Sequence, residues 1–127
     1  MIEVSWGEVF DKLTILQIKQ ARLASPQAAE NVRRELAALD QAVATLSPVP
    51  AGLSALQAEL KQVNETLWTV EDRIRAKEAA KAFDQEFIEL ARSVYRNNDR
   101  RAHIKRAINE LLNSPLIEEK QYTSYSS

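Results

Sequence analysis

An all-α fold, a helical bundle built on a long antiparallel coiled-coil-like hairpin, follows from three observations on this 127-residue chain. Two glycines and four prolines are few, and β-branched residues are sparse beside Ala, Leu, Glu, Arg and Gln, which favours helix almost everywhere. Ala29, Val32, Leu36, Leu39, Val43 and Leu46 are spaced alternately by three and four, as are Leu53, Leu56, Leu60, Val63, Leu67, Val70 and Ile74. Between these runs stands "SPVPAG", residues 47–52, the one concentrated stretch of helix breakers. Two heptad-patterned helices joined by so short a turn predict an antiparallel hairpin.

The first helix is expected over residues 5–23, because Ser5 and Glu8 have capping-box spacing. Val9, Phe10, Leu13 and Leu16 line one face, while Ile15 and Ile18 point to nearly the opposite one. A helix apolar on two sides is sandwiched between partners, so it belongs at the centre of the bundle or at a dimer contact. Ser25 and Pro26 read as cap and first residue of a second helix, 26–46. A third helix is expected over 52–80. A fourth, 84–113, is capped by Asp84, with Phe87, Ala91, Val94 and Tyr95 facing inward. Its later apolar residues, Ile104, Ala107, Ile108, Leu111 and Leu112, lie roughly a quarter turn from the earlier ones. That phase change predicts a break near residues 97–99, or else two halves that face different partners. The single domain is thus 1–113. A polar tail follows over 114–127, with Leu116, Ile117 and Tyr122 as anchors.

Composition excludes several function classes. Without cysteine there are no disulfides, thiolate metal sites or cysteine nucleophiles. The one histidine, His103, cannot make a histidine metal cluster, and Gly7 and Gly52 alone cannot form a glycine-rich phosphate loop. No cofactor and no metal is implied. Charge is balanced, with six basic against seven acidic residues in 1–64 and eleven against eleven in 65–127. A chain without a basic surplus is a poor nucleic-acid binder. No run approaches the ~18 apolar residues of a membrane span, and a cytoplasmic location is expected.

Two constellations could carry chemistry. On the third helix, Asn64, Trp68, Glu71, Arg75 and Glu78 form a row displaced from the apolar stripe. An indole is seldom left wholly exposed, so another helix is expected over this row. The plain explanation is an ion network, Glu71 and Arg75 having the favourable i,i+4 order; the functional one is a polar pocket between helices. On the fourth helix, residues 91–106 hold Arg92, Arg96, Arg100, Arg101, Lys105 and Arg106 against the single acid Asp99, with Tyr95 interleaved. These cations either pair with acids such as Glu86 and Glu89 or take a phosphate or carboxylate ligand.

"IEVSWGEVFDKLTILQIK" (2–19), "VNETLWTVEDRIR" (63–75), "FIELARSVYRNND" (87–99) and "EEKQY" (118–122) together resemble an uncharacterised bacterial family of short helical proteins, a domain of unknown function. The resemblance implies no reaction and no catalytic residue. It implies a neighbourhood, since members are found near or fused to sugar-transfer and cell-surface polysaccharide functions. Asp11, Lys12, Asn64, Trp68, Glu71, Arg75, Glu89, Arg92, Tyr95, Asn98 and Asp99 match its motifs.

The expectation is therefore a non-enzymatic helical interaction or accessory module with a protein partner, a second copy included. The alternative is a binding protein or enzyme for a phosphorylated or nucleotide-linked sugar. Its candidate ligand residues are Asn64, Trp68, Glu71, Arg75, Glu89, Arg92, Tyr95, Asn98 and Asp99.

Overall fold

Every helix except the third begins on the cap its sequence announces. In the computed structural model of the protein, residues 4–113 are described; the tail expected at 114–127 lies outside them. Ser5 accepts from the Glu8 amide at 3.3 Å and opens α1, Trp6–Arg22. Ser25 accepts from the Ala28 amide at 3.5 Å, and Pro26 is the first residue of α2, Pro26–Val43. Gly52 stands before α3, Leu53–Ala79, at φ 94°, a left-handed conformation that a Cβ would strain. Asp84 accepts from the Phe87 amide at 3.0 Å and opens α4, Gln85–Leu111. No helix among the described residues is long and apolar enough to cross a membrane.

These helices form a bundle centred on α1, which packs against each of the other three. Its two apolar faces are thereby both used within one chain. Phe10, Leu13 and Leu16 join Val32 and Leu36 of α2, Leu53, Leu60 and Val63 of α3, and Ile104 and Ile108 of α4 in one core. Phe10, Leu60, Val63 and Ile108 are completely buried.

The expected pairing of the second and third helices does not form. α2 and α3 nowhere bring Cα atoms within 8 Å of each other; the extensive pair is α3 with α4. Two ion pairs near the connection, Arg73 with Glu86 and Lys77 with Asp84 at 2.8 Å, and the hydrogen bond that Arg101 donates to Asn64 farther along, fix that pair as antiparallel. A heptad stripe reports that one face is buried, without saying against which helix. The α2 stripe is buried against α1, and the α3 stripe is shared between α1 and α4.

The break expected near 97–99 is also absent, since α4 is α-helical without interruption from Gln85 to Leu111. Its inward stripe keeps one 3,4 rhythm throughout: Phe87, Leu90, Val94, Asn97, Arg101, Ile104, Ile108 and Leu111. Two of these positions are polar. An apolar-only reading skips them and mistakes the gap for a change of phase.

α1 runs antiparallel to α4 and touches it closely at Gly7, whose amide donates to Asn109 Oδ1 at 2.6 Å. A Cβ on Gly7 would stand 2.6 Å from the Lys105 carbonyl oxygen and 3.0 Å from Asn109 Oδ1. The first of these is backbone, which cannot swing aside. Gly7→Ala should therefore push α1 off α4 and cost roughly 1–3 kcal/mol in urea unfolding, as overpacking does. A loss within error of zero would show that the contact yields freely.

Candidate functional site

The site is best built outward from Asn64, which α3 presents to α1 and α4 together. Its Nδ2 donates to Asp11 Oδ1 at 3.0 Å and to Thr14 Oγ1 at 2.9 Å, both on α1. Its Oδ1 accepts from an Arg101 guanidinium nitrogen of α4 at 3.3 Å. The other Asp11 oxygen lies 3.7 Å from Lys105 Nζ, and Lys105 also donates to Glu8. Asp11, Thr14 and Asn64 are buried, and every buried side-chain polar atom among the described residues has a partner. A carboxylate held out of water needs this much company, because desolvation costs several kcal/mol when uncompensated. The hub is a satisfied structural network.

Helical spacing extends the hub into two ladders. On α4 the residues 88, 91, 95, 98, 102, 105 and 109 recur at three and four and share one flank, beside the stripe that faces α3. Lys105 and Asn109 of this flank meet α1, Asn98 and Ala102 are half-buried, and Ile88, Ala91 and Tyr95 are exposed. The row on α3 is its counterpart. Asn64 meets α1, Trp68 is half-buried beneath the Arg22 guanidinium at 5.7 Å, and Glu71, Arg75 and Glu78 are exposed. Both ladders lose their cover at the same level because α1 ends at Arg22. Its 17 residues span about 25 Å against about 40 Å for the 27 residues of α3 and of α4.

The expected cover over the α3 row is therefore half correct. Arg75, with 79% of its side chain exposed, stands 3.9 Å from Glu71 in solvent and closes no buried pocket. Glu89 is exposed and accepts from Gln85 at 3.0 Å; Asp99 is half-buried. Arg92 is exposed and hydrogen-bonds to the Tyr95 phenol, and together with Arg96 it holds that phenol below its ordinary ionisation range. Of the nine candidates, Asn64 alone belongs to the hub, while Trp68 and Asn98 line its upper edge and the rest stand on the open part. Sequence reasoning missed Thr14, Arg101 and Lys105 as hub members. Their signal was present, since Arg101 sits on α4's inward stripe and Lys105 on its ladder, where apolar residues would be routine.

The plain explanation of the basic segment holds in part: Lys105 pairs with Glu8 and Asp11, and Arg106 with Glu110. Glu86 goes to Arg73 and Lys77 of α3. Arg92, Arg96 and Arg100 have no carboxylate within 4 Å among the described residues.

Fold and site thus define, among the described residues, a four-helix bundle whose α3–α4 hairpin runs past the end of its central helix. The chain belongs to DUF6165, a family of unknown function, whose model it matches over residues 1–127. No curated protein and no solved structure matches it.

Two outcomes follow. Asn64→Ala leaves a buried carboxylate and a guanidinium short of partners and should cost about 2–4 kcal/mol in chemical unfolding. Arg75→Ala, in solvent, should stay within about 0.5 kcal/mol. Equal losses would contradict the division between hub and open groove. Second, the tyrosinate absorbance that disappears in Tyr95→Phe should titrate below the ordinary tyrosine range, and Arg92→Ala should move it upward. An unmoved titration would show that Arg92 does not hold the phenol.

Proposed function

We propose that the protein is a non-enzymatic helical interaction module, an accessory to machinery of cell-surface polysaccharide synthesis or glycosyl transfer. One observation carries the interaction reading: Ile88 and Tyr95, 47% and 42% exposed, continue a ladder whose lower half is already buried by a helix. Scattered surface apolar residues need no explanation, whereas a ladder in register with a filled groove does. Tyrosine and arginine side by side are also the residues that interfaces favour. The polysaccharide link rests on the family resemblance alone.

A phosphorylated or nucleotide-linked sugar held by Arg92 and Tyr95 is the competing reading, favoured by the guanidinium that Tyr95 keeps in place. Arg75 adds little to it, being paired with Glu71.

A photo-crosslinking residue at position 88, compared with one at exposed position 35 of α2, separates the two in the native host. Under the interaction reading, a discrete protein adduct forms from position 88 and not from 35. Adducts absent from both, with a melting-temperature rise on adding nucleotide sugars that Arg92→Ala abolishes, would favour the small ligand instead.

A further inference from the structure

Resting on the interaction reading, we infer that the open end of the α3–α4 groove takes an amphipathic helix of a protein partner, with carboxylates along the flank it turns toward α4. α1 shows what this groove accepts. It lies in the lower part with Gly7, Asp11 and Thr14 against α3 and α4, and it brings its acids, Glu8 and Asp11, to Lys105 of α4. Above Trp68 the same groove continues without α1. Its α4 wall offers Ile88, Ala91 and Tyr95 to an apolar face, and Arg92 and Arg96 stand at the rim.

Among the described residues the rim charge is answered only at longer range, by Glu89 acting on Arg92. Neither Arg92 nor Arg96 has a carboxylate within 4 Å among the described residues, because the nearby Glu86 is taken by Arg73 and Lys77. Arg92, Arg96 and Arg100 rise one turn apart, about 6 Å per step. That spacing equals the spacing of acids at i, i+4 and i+8 on a second helix. A guanidinium fork gains most from a carboxylate when neighbouring apolar contacts exclude water, and Ile88 and Tyr95 provide that setting.

A polyphosphate backbone or an anionic membrane fits less well. Asp99 and Glu89 interrupt the cationic row, the chain as a whole carries a formal charge of −1, and the apolar ladder would go unused. A helix with an apolar stripe and an acidic flank turned toward α4 uses Ile88 and Tyr95 together with Arg92 and Arg96, the flank toward α3 facing the Glu71–Arg75 pair.

The test uses the full chain and a hydrocarbon-stapled helical peptide of about 14 residues, long enough to span about 20 Å. The peptide carries leucine and alanine at alternating three- and four-residue spacing, with glutamate on one flank; a second peptide has lysine in its place. Fluorescence anisotropy should show the glutamate peptide binding at least about tenfold more tightly than the lysine peptide, a gap that narrows as salt screens it. Arg92→Glu with Arg96→Glu should reverse the order, and Ile88→Asp should remove both affinities while circular dichroism shows the fold intact.

Equal binding of the two peptides, unmoved by charge reversal, would overturn the acidic flank yet leave a helix-binding groove. Binding that survives Ile88→Asp, or no binding of either peptide, would overturn the docking site proposed here. In that event a specific adduct at position 88 in the native host would still support the broader interaction reading. Tighter binding of a thymidine oligonucleotide or of phosphatidylglycerol vesicles, lost with the same arginines, would replace the partner helix with a polyanion.

Discussion

A carboxamide buried between three helices can be satisfied only if all three arrive together. Asn64 donates twice to α1 and accepts once from α4, so its hydrogen bonds form in full at one mutual setting of α1, α3 and α4. Slide α1 past α3 by one residue and Asp11 loses its amide donor in a buried place, where the lost contact is expensive; slide α4 and Asn64 loses the Arg101 donor. Apolar packing alone tolerates such slips far better, since leucine against leucine is nearly the same at neighbouring registers. The hub therefore specifies the arrangement more than it strengthens it, the role best attested for buried polar groups in helical assemblies. Gly7 works alongside it, letting the α1 backbone come close enough to α4 for Lys105 to reach Glu8 and Asp11.

Fixing the register also fixes where α1 runs out. The N-cap at Ser5 and the chain's turn after Arg22 limit α1 to 17 residues, and the hub anchors those residues to the lower part of a hairpin whose helices have 27 each. The upper hairpin consequently holds itself together through Leu90 and the half-buried Val70, Ile74, Phe87 and Val94, with ion pairs of Arg73 and Lys77 across its end. Its second flank is left to solvent. The open groove results from a mismatch in length between elements that are otherwise well packed, and no strained or unsatisfied group is needed to explain it.

The same division separates the kinds of polar residue in this chain. Below Trp68, the charges of the hub are paired across helices and partly or wholly withdrawn from water, as Asp11 and Lys105 are, while Arg106 and Glu110 pair in solvent. Above it, they are on the surface, paired within one helix or across the hairpin tip, or, for Arg92 and Arg96, without a carboxylate within 4 Å among the described residues. A guanidinium in water costs nothing to leave unpaired, so stability places no demand on Arg92 or Arg96. Under the proposed interaction reading, their place beside the exposed Ile88 and Tyr95 is where a partner would use them.

By itself the sequence determined the helices and their caps. Ser5, Ser25-Pro26 and Asp84 act through amides three residues away, and the 3,4 stripes of α2 and α3 mark the faces that are buried, because both effects are local to one helix. It also made α1 central, since apolar residues on two sides require two neighbours, and it singled out the α3 row through the displaced Trp68. Which stripe meets which was decided only in three dimensions. A periodic stripe carries no label for its partner, so α3 could be read as pairing with α2 when it pairs with α4. The continuity of α4 was hidden for a related reason. Asn97 and Arg101 occupy its inward stripe, and Arg101 is acceptable there because Asn64, 37 residues away in the chain, turns an oxygen toward it. Whether a polar residue interrupts a helix face or completes it depends on a partner that local spacing cannot supply.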